Sequence, residues 1–362
     1  MKKLLIILLI PFYLYSYNYS SCYECKLFIN QMSKQYGFSK SYLTQILSQA
    51  KHKQSVLNRY NGTLHNATDY SWSRYKAKIL IPESVELGKN FMQKYSKYLK
   101  RAEHNFGVEK EIITSFIRVE SKFGLYGGEY RVVDVLATLA FNPNRKKRFF
   151  KSELKKALIL SRREHINPLN LRGSFAGAMG CVQQMPSIYL RYGVDLDGNG
   201  KRDPNSMADC IGSIAKFLSR NGWINNLAPI SRARVKGNSF LNLRSGYRSY
   251  YKLLTLENFG VYAPSWWSER GAYFVRLRDG KSYDIFLGNH NYRVITKYNA
   301  SKQYATSIGL YYKALKNWEL KIKEFGSGAF SLTLEVIFPK RKPNFIMVNW
   351  GLVIKNWYCF IF

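Results

Sequence analysis

Residues 112–124 read IITSFIRVESKFG, and the reading of this stretch decides how the rest of the chain is understood. Ile113, Phe116, Ile117 and Glu120 fall at i, i+3, i+4 and i+7, so one carboxylate continues the apolar stripe of a short amphipathic helix. Gly124 is expected to stop the helix. Glu120 then sits in its last turn, where the negative end of the macrodipole joins desolvation in disfavouring the charged form. Both effects raise its pKa. A carboxylic acid held protonated near neutral pH in an apolar cleft has what a glycosidic oxygen needs from a general acid. The alternative is a boundary Glu whose tip reaches solvent.

The chain has 362 residues, enough to bury a sizeable core in two or three compact parts. With 46% hydrophobic and 16% aromatic residues it is not a disordered polymer, and 56 Lys+Arg against 23 Asp+Glu leave a formal charge of +33. Such a chain seeks anions: nucleic acid, anionic lipid or the carboxylate-rich peptides of the bacterial wall. Export separates these. Met1, Lys2 and Lys3 followed by LLIILLIPFYLY read as a signal peptide over residues 1–16, too short for a comfortable membrane span. Nucleic acid is therefore not expected as a partner, and a periplasmic location is. Cleavage near Ser16 gives a soluble protein, whereas YSSC ending at Cys22 is an imperfect lipoprotein cleavage site, which would leave residues 1–21 as the signal and anchor the chain to the outer membrane. Cys22 and Cys25 either pair or stay free, and Cys181, Cys210 and Cys359 show no metal spacing, so neither zinc nor a disulfide is assigned.

Residues 22–107 read as a helical flanking region broken by polar loops such as NRYNGTLHNATDYSW. In GSFAGAMG, small residues are interleaved with Ser174, Phe175 and Met179, which suits either a tight helix contact or close approach to a ligand. DLDGNG offers oxygen donors at Asp195, Asp197 and Asn199 in the first, third and fifth positions of an EF-hand-like loop, with Gly200 at the sharp turn and the Lys201 carbonyl next. The usual twelfth position is Ser206, which cannot close such a loop, so an ordinary turn is the alternative. Residues 224–288 are turn-rich with short β-prone runs, and the DG of GAYFVRLRDGKSYDIFL marks a hairpin. Residues 289–320 return to helix. The apolar tail over residues 321–362 is left unassigned.

RVESKFG, YRVVDVLATLAF, GSFAGAMGCVQQMPS, YGVDLDGNGKRD and VITKYNASKQYA resemble, in that order, blocks of the membrane-bound lytic transglycosylase B family of peptidoglycan-cleaving enzymes. The resemblance implies an α+β, predominantly helical fold: a lysozyme-like catalytic core over residues 108–223, the helical flank, the small β-containing subdomain, and a helical return completing the site. It makes Glu120 catalytic. It assigns Tyr75, Arg145, Lys146, Ser174, Gln183, Phe217, Tyr298 and Asn299 to the sugar-binding groove, with Met179 helping to keep the site narrow. Lys146 stands where the family has Arg, and so loses a planar fork. Asp209 would close the metal loop over residues 195–209, which implies a structural calcium and no catalytic cofactor. The implied activity is non-hydrolytic cleavage of the β-1,4 bond between N-acetylmuramic acid and N-acetylglucosamine, leaving 1,6-anhydro ends. A hydrolytic muramidase is the runner-up, with Asp134 or Glu129 as its second carboxylate, and a non-catalytic wall-binding protein is the third reading.

Overall fold

The computed structural model describes residues 17–62 and 72–324. The described residues up to 319 form one compact unit, and of residues 320–362 only the end of one helix is described. The expected signal segment and nearly all of the expected tail therefore lie outside them too.

The helical part begins with α1 Tyr23–Tyr36, α2 Lys40–Ser48, α3 Gln54–Gly62, α4 Trp72–Ile79, α5 Pro82–Lys94 and α6 Ser96–Phe106. It continues through α7 Lys110–Ser121, α8 Val132–Phe141, α9 Lys147–Arg163, α10 Pro186–Tyr192 and α11 Met207–Arg220. Local signals set several ends: Ser39 and Ser206 accept backbone N–H groups at the starts of α2 and α11, and Gly37 and Gly107 close α1 and α6 in the left-handed conformation. The polar stretch read as a loop after Leu57 is helical as far as Gly62, because α3 packs on α8 and tertiary contact overrides its weak propensity. Buried throughout from Val132 to Ala140, α8 is the spine of this part, with α3 and α9 packed against it.

Between α7 and α8 runs a two-residue strand, β1 Tyr130–Arg131, paired antiparallel with β2 Arg172–Gly173. After α11 comes a four-stranded sheet of order β3-β8-β7-β5, from β3 Ile230–Arg232, β5 Tyr250–Lys252, β7 Gly271–Asp279 and β8 Ser282–Gly288, with β4 Arg234–Val235 paired antiparallel to β6 Val261–Tyr262 and α12 Leu253–Asn258 following β5. The β7–β8 hairpin turns at Gly280, where φ is +63°, at the DG of the sequence. This subdomain keeps a small apolar core of its own, including Phe240, Leu256, Phe274 and Leu287. α13 His290–Tyr298 and α14 Lys302–Glu324 then return to the main core, α14 running past the end expected for it.

Among the described residues two disulfides staple the chain: Cys22–Cys25 at the start of α1, and Cys181–Cys210, joining the 3-10 turn Gly180–Val182 to α11. Neither is assigned from the sequence. The second bridges residues far apart in the chain, and only the fold brings them together.

Candidate active site

Glu120 lies in the last turn of α7, as its periodicity requires. The helix stops earlier than expected, at Lys122 and Phe123, whose φ values of 47° and 63° place two non-glycine residues in the left-handed region before Gly124 is reached. The chain is then free to swing Leu125 to Tyr130 around a cavity of about 310 Å³, lined also by Arg59, Glu120, Ser174, Phe175 and Gln183. Gly128 is indispensable to that wall, because a Cβ there would meet the Gly173 backbone at 2.1 Å.

The Glu120 side chain keeps one flank open to the cavity, yet protein surrounds its carboxyl closely enough that desolvation dominates. Burial pushes its pKa from 4.5 up to about 8, against a hydrogen bond donated by the Tyr304 hydroxyl that favours the carboxylate. Tyr304 is set in the first turn of α14 by Ser301, whose hydroxyl oxygen accepts the Tyr304 N–H at 3.3 Å. Tyr75, Tyr298 and Tyr304 are each pushed up by burial, and the Glu120 charge adds to this, so all three remain O–H donors at neutral pH. Tyr298 donates to the Val182 carbonyl and packs edge-on against Phe116 and Phe217, at 5.0 and 4.8 Å between centroids. Tyr75 shares a hydrogen bond with the buried Ser307. The acid thus stands against a wall of aromatic hydroxyls, and among the described residues no cation is bonded to it.

On the opposite wall, the Ser174 hydroxyl oxygen accepts from the Ala176 and Ala178 N–H groups at 3.3 and 3.2 Å, which leaves its O–H to donate. Gln183, held at φ 49°, donates to the Gly127 and Gly180 carbonyls at 3.2 and 2.8 Å. Arg59 lies 3.9 Å above the Phe175 ring, a cation–π contact that brings α3 to the rim.

The remaining expected groove residues are placed otherwise. Met179 is fully buried and spends its backbone in bridges to Gly173 and Gln184, while Phe217 is buried between Tyr192 and Tyr298. Arg145 and Lys146 are exposed and outside the cavity lining, leaning on Tyr60 and Phe149. Asn299 is exposed, ends α13, and among the described residues has no side-chain hydrogen-bond partner. Of the two proposed second carboxylates, Asp134 is buried and held by the Arg131 fork at 2.7 and 3.0 Å and the Lys51 N–H at 3.0 Å. Glu129 is exposed on the cavity lining. Sequence reading missed Tyr304 and Arg59. Tyr304 lay in a motif already singled out, three residues after a Ser able to cap a helix.

Away from the cavity, carboxylate oxygens of Asp195, Asp197 and Asp209 lie within 4.8 Å of one another. Asp195 accepts N–H groups from Gly198, Asn199 and Gly200 at 2.7 to 3.0 Å, which winds the loop tightly. Asp209, fully buried, accepts from Leu196 and Asp203 at 2.9 and 2.8 Å, and among the described residues it has no cationic partner. Three hard oxygen donors converging with one of them buried fit a calcium ion and suit zinc poorly.

Residues 21–311 match the transglycosylase SLT domain family. The membrane-bound lytic murein transglycosylase B of Escherichia coli (strain K12) is 35% identical over 291 residues, 78% of this chain and 79% of that protein. An Escherichia coli lytic transglycosylase solved in complex with calcium superposes with a TM-score of 0.75 at 34% identity, covering 84% of this chain and 95% of that one. A Pseudomonas aeruginosa relative solved with a NAG-NAM-pentapeptide gives a TM-score of 0.69 at 26% identity, covering 80% of this chain and 78% of that one.

Proposed function

The chain belongs to the transglycosylase SLT-domain family and is a lytic transglycosylase of peptidoglycan, and from that premise we propose that Glu120 is its single general acid and base. The observation that carries this is a carboxyl pushed up to about 8 on the wall of the cavity, hydrogen-bonded to a tyrosine and, among the described residues, to no cation. Protonated, Glu120 gives its proton to the glycosidic oxygen, and the C1–O4 bond breaks as the muramic acid 2-acetamido oxygen attacks C1. Glu120 is then a carboxylate, and the Tyr304 hydroxyl stabilises it. It takes the proton of the muramic acid 6-hydroxyl, and that oxygen displaces the acetamido group from C1, closing the 1,6-anhydro ring without consuming water. Ser174, Gln183 and Tyr126 hold the sugar in register along the cavity wall, and Arg59 with Phe175 closes its rim.

Digesting purified sacculi with wild type and Glu120→Gln tests the assignment. Wild type should release muropeptides lighter than hydrolysed ones by one water and resistant to borohydride. The variant should lose about two to four orders of magnitude in rate. A Gln variant retaining half the wild-type rate would place the acid elsewhere.

Asp195, Asp197, Asn199, the Lys201 carbonyl and Asp209 would hold a structural calcium, pinning the loop to the start of α11 and leaving the chemistry to Glu120. The apolar segment behind Met1–Lys3 would direct export to the periplasm. The Cys22–Cys25 disulfide favours a soluble mature protein, because a sulfur bonded to Cys25 cannot also carry a lipid. Among the described residues no helix is long and apolar enough to cross a membrane. Mass spectrometry of the mature amino terminus decides between the disulfide and an acylated Cys22.

A further inference from the structure

We propose that a basic cavity beside the catalytic one binds the carboxylates of the stem peptide carried by the muramic acid. The inference rests on the reading of the chain as a peptidoglycan lytic transglycosylase and names a second part of that substrate which it grips.

The β1–β2 ribbon is the partition. Its register pairs Tyr130 with Gly173 and Arg131 with Arg172, and Glu129 and Tyr130 line both the catalytic cavity and a neighbour of about 510 Å³. Four cations line that neighbour, Lys51, Lys53, Arg131 and Arg172, against two carboxylates, Glu129 and Asp134. Arg131 and Asp134 neutralise each other as a fixed bidentate pair, with the same guanidinium also donating to the Gln49 carbonyl at 2.7 Å. What remains is Lys51, Lys53 and Arg172 against Glu129. Among the described residues none of those three cations has an ion-pair partner, and the Arg172 side chain is exposed.

The two lysines stand on a backbone that is not free to drift. The Lys51 N–H donates to Asp134 at 3.0 Å and the Lys53 N–H to the Thr138 hydroxyl at 3.1 Å, so the link between α2 and α3 is tied to α8 at both residues. Unpaired cations around a concave volume held by a rigid backbone raise the local concentration of an anionic partner. The volume is too large for a single inorganic anion and falls within the range for an organic ligand. It also shares Lys51 and Arg131 with a further hollow of about 670 Å³, which gives room for a peptide of several residues. Once its lactyl group carries a peptide, the glycan has no free carboxylate of its own, so the anion available one cavity away from the scissile sugar is the stem. Glu129 repels acids at the junction and sets them beyond it, at Lys51 and Lys53.

The experiment compares two substrates, glycan strands bearing tripeptide stems and the same strands stripped of peptide by an amidase. Lys51→Glu/Lys53→Glu should raise KM on the peptide-bearing strands by about tenfold with kcat unchanged, and leave both constants unchanged on stripped strands. Lys236→Glu/Lys281→Glu, an equal charge change on exposed residues of the β subdomain, should leave both substrates unaffected. Three outcomes overturn the inference: an equal rise in KM on both substrates, an equal rise with the control pair, or no rise at all. A wild-type chain that forms no anhydro ends on either substrate would instead overturn the catalytic reading, and this inference with it.

Discussion

Replacing Glu120 by Gln should cut turnover by about two to four orders of magnitude and, at neutral pH, make the protein more stable. The unfolded chain releases this proton near 4.5, while the folded chain holds it up to about 8. Between those values folding must take up a proton, so the contribution of Glu120 to stability is lost progressively as pH rises through the window. At pH 7 the interval is about 2.5 pH units, which at about 1.4 kcal/mol each sets a ceiling of about 3 kcal/mol. The open flank of the side chain lets water screen part of this, so about 2 kcal/mol is expected. Gln carries no such proton and keeps an oxygen for the Tyr304 hydroxyl, so the variant escapes the loss. For a chain of this size the gain should appear as a rise in Tm of about 4 °C at pH 7. At pH 4, where both states of the wild type hold the proton, the two proteins should melt alike. Calorimetric melts from pH 4 to 8 measure the difference directly. A difference that is the same at both ends, or a Gln variant less stable at pH 7, would refute the claim that desolvation sets the acid's pKa.

The same displacement should place the alkaline limb of kcat/KM near pH 8, since the acid form starts the reaction. Tyr304→Phe removes the hydrogen bond that favours the carboxylate, so that limb should move to higher pH while kcat falls about tenfold from lost aim; an unchanged profile would remove Tyr304 from the site. Calcium at a hundred times its Kd should raise stability by about 2.7 kcal/mol, seen as a rise in Tm that chelator reverses and Asp209→Ala abolishes. Reducing Cys181–Cys210, which are 29 residues apart, should cost about 3 to 4 kcal/mol by the chain-entropy estimate. It should also weaken calcium binding, because Cys210 adjoins Asp209; a calcium affinity unmoved by reduction would separate the two.

The sequence revealed what is local. Periodicity fixed α7 and the position of Glu120 on it, the DG marked the β7–β8 turn, and the Asp/Asn/Gly loop showed its donors in order. It did not reveal where a helix stops when two non-glycine residues accept left-handed geometry, as at Lys122 and Phe123, because such strain is stabilised by tertiary contacts. Resemblance supplied Ser174, Gln183, Tyr75 and Tyr298 near the acid. It also supplied Met179 and Phe217, which face the core here, since a matched position carries the residue's place in the chain and not its exposure. Arg59 stayed hidden because its partner, Phe175, is more than a hundred residues away and only the packing of α3 on α8 brings the two together.

What separates closure of the anhydro ring from hydrolysis is whether a second carboxylate can ready a water on the far face of the sugar. Asp134 cannot, with both oxygens already bonded and its burial nearly complete. Glu129 is the other carboxylate beside Glu120 on the cavity lining, and it is exposed with no side-chain partner among the described residues to aim it. A base that activates water must be held within hydrogen-bond reach of it, and a freely rotating surface carboxylate loses most of that advantage. In the proposed mechanism the muramic acid 6-hydroxyl needs no such capture, because the sugar itself holds it close to the anomeric carbon, and Glu120 would by then be the carboxylate that can deprotonate it. Glu129→Gln should therefore keep kcat within about threefold of wild type and leave the anhydro fraction of the products unchanged. Mass spectrometry of digested sacculi before and after borohydride reads both. If the variant lost its turnover, or if reducible ends dominated in wild type and disappeared in the variant, Glu129 would be a working second carboxylate and water the nucleophile.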